Sequence, residues 1–214
     1  MTKRFGFTLA EVLITLTIIG VIAAMTIPTL LSNTSDQEYK TGLKKAISTI
    51  NQAITMQYAL DGTNMADFTQ STGQGTSGIF NATYGIVANL FQQRMQVVST
   101  TTNRATKGFG NTATTNAAIY LSDGMAIEFP SGAMNGTVGS KSCKANAYTD
   151  TNTSGCLYTI VVDVNGDKGN CNVSTDTAEV DGKVRPKDCF PLDVYADGVR
   201  PANWVGREIM YSGK

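Results

Sequence analysis

One carboxylate, Glu11, sits inside an apolar run, "KRFGFTLAEVLITLTIIGVIAAMTIP" at positions 3–28. A charged side chain at the middle of a bilayer costs about 2.5–3.5 kcal/mol on insertion scales, and less near the ends. Either Glu11 lies close to the interface and reaches water, or it has a cationic partner. A second stretch offers ion chemistry: Asp163-Val164-Asn165-Gly166-Asp167-Lys168-Gly169. The oxygen side chains of Asp163, Asn165 and Asp167 alternate on a tight turn, a pattern able to wrap calcium. The EF-hand places Gly sixth and Glu twelfth. Here those places hold Lys168 and Ser174. The plain alternative is a glycine-rich turn in which Asp and Asn bond their own backbone.

The remaining reactive residues are Cys143, Cys156, Cys171 and Cys189. An even number of cysteines in a chain exported from the cytoplasm favours disulfides, with three connectivities open. Sequential pairing closes the shortest loops, and each bridge would contribute about 3 kcal/mol. None of the spacings approaches the C-x2-C of zinc sites. The chain has no histidine. That excludes Ser-His-Asp and Cys-His catalysis and every histidine metal site. No paired-carboxylate motif stands in a recognisable frame, so no enzyme is expected.

The apolar run must be held by a helix. Phe7 to Pro28 is 22 residues, and a helix of that length covers roughly 33 Å. A bilayer core is about 30 Å thick. Lys3 and Arg4 ahead of it read as a cytoplasmic anchor. A secretory signal peptide also begins with basic residues, and Ile22-Ala23-Ala24 offers a weak cleavage site. Its apolar core is usually about 7–15 residues long, whereas this run is longer, contains an acid and continues past that site.

Gly6-Phe7-Thr8-Leu9-Ala10-Glu11 resembles the processing site of type IV pilins and type II secretion pseudopilins. In that family a short basic leader ending in Gly is removed and the new first residue is usually Phe. A Glu stands fifth after the cut. The family's helix-weakening Gly and Pro fall at Gly20 and Pro28. The resemblance implies cleavage after Gly6 by a prepilin peptidase and N-methylation of Phe7. It implies assembly through attraction between Glu11 and a neighbouring subunit's α-amine, and stretching of the helix between Gly20 and Pro28 in the fibre. The implied partners are like subunits, the peptidase/methyltransferase, an inner-membrane assembly platform and membrane lipid. The family often carries a disulfide near its C-terminal end, which Cys171 and Cys189 would match. Some major pseudopilins bind calcium in their C-terminal region, so Ca2+ at Asp163, Asn165 and Asp167 stays an open alternative to no cofactor.

Behind the run, "EYKTGLKKAISTINQAITMQYALDG" repeats apolar residues every three or four positions: Tyr39, Leu43, Ile47, Ile50, Ile54 and Tyr58. Asp61-Gly62 closes the pattern. Ser35 or Asp36 could cap a new helix, but one helix of about 50 residues fits equally. "YGIVANLFQQRMQVV" reads as a short helix with Ile86, Leu90, Met95 and Val98 on or near one face. "STTTNRATKGFGNTATTN" reads as an exposed loop. "AIYLSDGMAIEF" is a hairpin turning at Asp123-Gly124. "LYTIVVDV" is a strand, and "FPLDVYADG" a shorter one that Pro191 should keep at a sheet edge.

The expected fold is α+β. A long N-terminal helix, membrane-spanning then amphipathic, packs on a C-terminal antiparallel sheet. The divisions are a leader at 1–6, a membrane and assembly helix at 7–30, and an ectodomain at 31–214. Within the ectodomain lie an amphipathic helix at about 36–60, a variable loop region at about 62–118 and a β-rich region at about 118–214. The 17 basic and 17 acidic residues balance, and losing Lys3 and Arg4 leaves 15 against 17. No basic stripe indicates nucleic acid as a main partner. The expected function is a fibre subunit precursor of a pilus or pseudopilus. It would sit as a single-pass protein of the bacterial inner membrane, its ectodomain outside the cytoplasm and its fibre in the periplasm or at the cell surface. The alternative is a single-span envelope protein whose ectodomain binds a ligand or calcium. A third reading is an enzyme domain on an anchor.

Overall fold

The computed structural model describes residues 6–62, 65, 85–105, 115–129, 156, 158–166, 168, 171, 173, 179–180, 183–184 and 186–211. Helix α1, Leu9–Asp61, runs unbroken for 53 residues. No cap interrupts it at Ser35, whose hydroxyl bonds back to the Leu31 carbonyl at 3.1 Å. It ends where the pattern of apolar residues ends. Gly62 takes φ 68, and its N–H returns to the Tyr58 carbonyl at 3.0 Å. That left-handed residue suits glycine and satisfies one terminal carbonyl.

The chain parts into two compact units, residues 1–38 and 39–214. In the first, the helix exposes its apolar side chains all round: Leu13, Leu16, Ile19, Ile22, Ile27 and Leu30 among them. In the second, Leu43, Ala46, Ile47, Ile50, Ala53 and Ile54 are buried in the core. Steps of three and four put them on one face. Each large aliphatic side chain so buried contributes about 1.5–3 kcal/mol.

After α1 come α2 (Gly85–Arg94), β1 (Val97–Ala105), β2 (Thr115–Leu121), β3 (Ala126–Phe129), β4 (Tyr158–Asp163), β5 (Glu179–Val180), β6 (Lys183–Val184), β7 (Cys189–Tyr195), β8 (Gly198–Pro201) and α3 (Trp204–Tyr211). Six strands form an antiparallel sheet in the order β1-β2-β3-β4-β7-β8. One face supplies Ile119, Ile127, Phe129, Ile160, Val162, Phe190, Leu192 and Val194 to the same core as α1. The α+β expectation of a long helix followed by an antiparallel sheet is met.

The hairpin at Asp123-Gly124 is present: the Asp123 carboxylate accepts the Met125 N–H at 3.2 Å, and β2 pairs with β3. Other expectations change. The stretch beginning "STTT" is not a loop as far as Ala105; it is β1, paired with β2. Its Thr residues favour a strand as much as a polar surface does. Val98 lies in that strand and is 72 % exposed, not on the α2 face. Residues 106–114 lie outside the described residues.

Pro191 is not on an edge strand either. β7 lies between β4 and β8. Adjacent backbone groups of one strand residue project to the same side, so the missing N–H of Pro191 faces Ala202, just beyond β8. Ala202 donates to the Pro191 carbonyl at 3.0 Å. The Ala202 carbonyl, deprived of a return donor, instead accepts from Arg207 Nη2 at 3.2 Å. Helix α3, which carries Arg207, has no counterpart among the expected elements. Its signal was Asn203, whose Oδ1 accepts the Gly206 N–H at 3.0 Å, followed by Val205 and Ile209 four apart on a buried face.

Candidate assembly and processing site

Gly6 and Phe7 precede α1, and Phe7 is 90 % exposed. Thr8 then caps the helix. The Thr8 N–H donates to Glu11 Oε2 at 2.8 Å, and the Thr8 hydroxyl donates to the same oxygen at 2.8 Å. In return, the Glu11 N–H donates to Thr8 Oγ1 at 3.3 Å. Thr-x-x-Glu at a helix start is a capping box, in which two orphan donors are satisfied reciprocally. The acid also lies at the positive end of the helix dipole. Glu11 is therefore held by its own first turn, a role that spacing alone, four residues beyond Phe7, did not reveal.

Along the apolar half the hydroxyls fold back. Thr15, Thr17, Thr26 and Thr29 all donate to helix carbonyls three or four residues behind them. Their polar groups thus need no water, as a lipid setting requires. Gly20 and Pro28 both lie within α1, and the helix continues through them. Pro28 has no N–H to give the Ala24 carbonyl. A Cβ at Gly20 would meet nothing within 4 Å, so no packing within this chain demands glycine there. Leu9–Asp61 is a helix long and apolar enough to cross a membrane.

Residues 1–27 match the prokaryotic N-terminal methylation motif. This is the prepilin-type cleavage and methylation segment of type IV pilins and pseudopilins. No curated protein and no solved structure matches the chain. The methylation motif contains Gly6, Phe7, Glu11 and Gly20; Pro28 follows it directly.

Beyond the methylation motif, Asp163, Cys171 and Cys189 lie on the sheet face opposite the core. Arg104 of β1 forms ion pairs with Glu128 of β3, at 2.9 Å, and with Asp163 of β4. It also donates to the Gly166 carbonyl at 3.0 Å and lies 5.3 Å from the Tyr120 ring centre. A bulge aims it there. Thr101 pairs with Ala118 and Arg104 with Asn116, so two residues of β1 stand opposite one of β2. Without the extra residue, Arg104 would turn to the apolar core face.

The second Asp163 oxygen accepts the Asn165 N–H at 3.1 Å. Both oxygens of the carboxylate considered for calcium are thus bonded within the chain, in the Asx turn that a glycine-rich stretch favours. Asp167 lies outside the described residues. Burial pushes the Asp163 carboxyl up from 3.8 to about 6, opposed by Arg104 and the Asn165 N–H and reinforced by Asp188.

Cys171 and Cys189 form a disulfide with Cα atoms 5.5 Å apart. Their sulfurs lie near Asp163, but oxidised sulfurs are not thiolate ligands. The bridge packs with Val161 and Val173. Cys156 is also disulfide-bonded, and Cys143 lies outside the described residues.

Proposed function

We propose that this chain is the precursor of a structural subunit of a type IV pilus or a type II secretion pseudopilus. The observation that carries the reading is the register between the motif and the helix. Gly6 and Phe7 are exposed just ahead of α1, Glu11 lies in its first turn, and an exposed apolar surface follows. That surface needs lipid or other helices around it.

In this reading Lys3 and Arg4 stay cytoplasmic, and the apolar half anchors the chain in the inner membrane with its ectodomain outside the cytoplasm. Prepilin peptidase hydrolyses the Gly6–Phe7 amide. The freed amine of Phe7 is methylated and keeps its positive charge. Glu11 of a neighbouring subunit attracts that amine, and an assembly platform draws the subunits from lipid into a helical fibre. The chain works as a building block rather than a catalyst.

A Glu11→Leu variant tests this. Leu is the better lipid solute, by about 2.5–3.5 kcal/mol at most, so membrane insertion is retained. Assembly is lost because the amine has no counter-charge. Fibre or pseudopilus yield equal to that of the unaltered chain would overturn the reading.

A further inference from the structure

We infer that Asn165 is a site of spontaneous covalent modification in the folded chain, deamidated through attack of the Gly166 peptide nitrogen on its side-chain amide. The site lies in the turn after β4, and nothing in the assembly reading requires it.

A glycine offers the least hindered backbone nitrogen, because it has no Cβ. Gly166 takes φ 67, and a Cβ there would run into the Gly124 carbonyl oxygen. The turn therefore demands glycine at the position that makes the attack easy. The backbone on either side of the reacting groups is held. The Asn165 N–H donates to Asp163 Oδ1 at 3.1 Å, and the Gly166 carbonyl accepts from Arg104 Nη2 at 3.0 Å. The reacting groups between them are not held. Among the described residues, Asn165 Oδ1 is buried without a hydrogen-bond partner, and the Gly166 N–H donates to no group. Asn165 Nδ2 has a long contact to Asp188 Oδ2 at 3.5 Å, at the outer limit for a hydrogen bond. That contact sets a carboxylate beside the nitrogen that must leave. Asn165 as a whole is partly exposed, so water reaches it.

The step balances without a cofactor. The Gly166 nitrogen gives up its proton and bonds to Asn165 Cγ. The Cγ–Nδ2 bond breaks, and that nitrogen leaves as ammonia carrying the proton. The succinimide ring so formed then adds water at either of its carbonyls. One opening gives aspartate, and the other gives isoaspartate, whose backbone runs through the former side chain. Either product adds a negative charge to a turn that already holds Asp163 and contacts Asp188.

The test uses the purified full chain in detergent, incubated at neutral pH beside the same chain unfolded in guanidinium chloride. Peptide mapping by mass spectrometry separates Asn165 from the other Asn-Gly pair, Asn135-Gly136. Labelling with an isoaspartyl methyltransferase reads isoaspartate in the peptide. Isoaspartate at position 165 of the folded chain is expected, at a rate within about tenfold of that in the denaturant. A route through global unfolding would be slower by about a thousandfold or more, because so little of a stable chain is unfolded. A folded-chain rate more than about tenfold below the unfolded rate overturns the inference. So does deamidation that leaves no isoaspartate, since direct hydrolysis of the amide gives aspartate alone.

Discussion

Arg104, on the edge strand β1, reaches past β2 and pairs with Asp163 on β4, holding Glu128 of β3 at 2.9 Å on the way. One guanidinium thereby ties four neighbouring strands of the sheet together on the face opposite the core. Removing a single partner from a buried ion pair leaves the others uncompensated. Arg104→Ala is therefore expected to destabilise the ectodomain by about 3–5 kcal/mol. Denaturant unfolding of the detergent-solubilised chain measures it, and a loss under 1 kcal/mol would mean that the network contributes little.

The same network sets a pH dependence. The Asp163 carboxyl titrates at about 6 in the folded chain against 3.8 as its ordinary value. The folded state therefore holds this proton more tightly than the unfolded state does. The contribution of this group is complete below about pH 4 and is lost as pH rises through about 6. Between pH 7 and pH 5 the melting temperature of the unaltered chain should rise relative to that of Asp163→Asn, which carries no such proton. An equal pH response in both chains would contradict this.

Gly42 faces a different constraint. A Cβ there would come within 2.8 Å of Val164 Cβ, so α1 approaches the turn after β4 as closely as glycine allows. Alanine would gain about 1 kcal/mol of helix propensity, but overpacking against a branched side chain costs about 1–3 kcal/mol. The second effect wins. Gly42→Ala should lower the thermal midpoint, and a raised midpoint would show that Val164 moves aside freely.

The core helix was legible because its apolar spacing is long and regular, from Leu43 to Ile54. The hairpin at Asp123-Gly124 was legible because its turn chemistry is local. Arg104 was not. Its position depends on a bulge in a Thr-rich strand, and nothing in the spacing of the sequence says where an extra residue will fall. Pro191 misled for a related reason. Its lost N–H is tolerated in an interior strand only because Arg207, from a helix that begins after β8, occupies the carbonyl left over. At the N-terminus, Glu11 was visible as an anomaly in charge, but its bond to Thr8 emerges only once the helix start is placed.

Gly20 and Pro28 lie in a continuous helix in the isolated chain, although one lacks an N–H and the other has no packing reason to be glycine. In the proposed fibre, where this stretch would leave lipid, unwinding between them is expected. The double variant Gly20→Ala with Pro28→Ala should keep residues 20–28 helical in filaments, whereas the unaltered chain should extend there. Cryo-electron microscopy of fibres distinguishes the two, and a continuous helix through 20–28 in the unaltered filament would rule the idea out.

Everything proposed for assembly depends on where the mature chain begins, because only cleavage after Gly6 places an amine four residues ahead of Glu11. Mass spectrometry of the N-terminal peptide from membranes reads that position directly. A chain beginning at Phe7 with one methyl group on its amine is expected. A chain beginning at Met25 or beyond, or one still carrying Met1 in cells with an active prepilin peptidase, would contradict it.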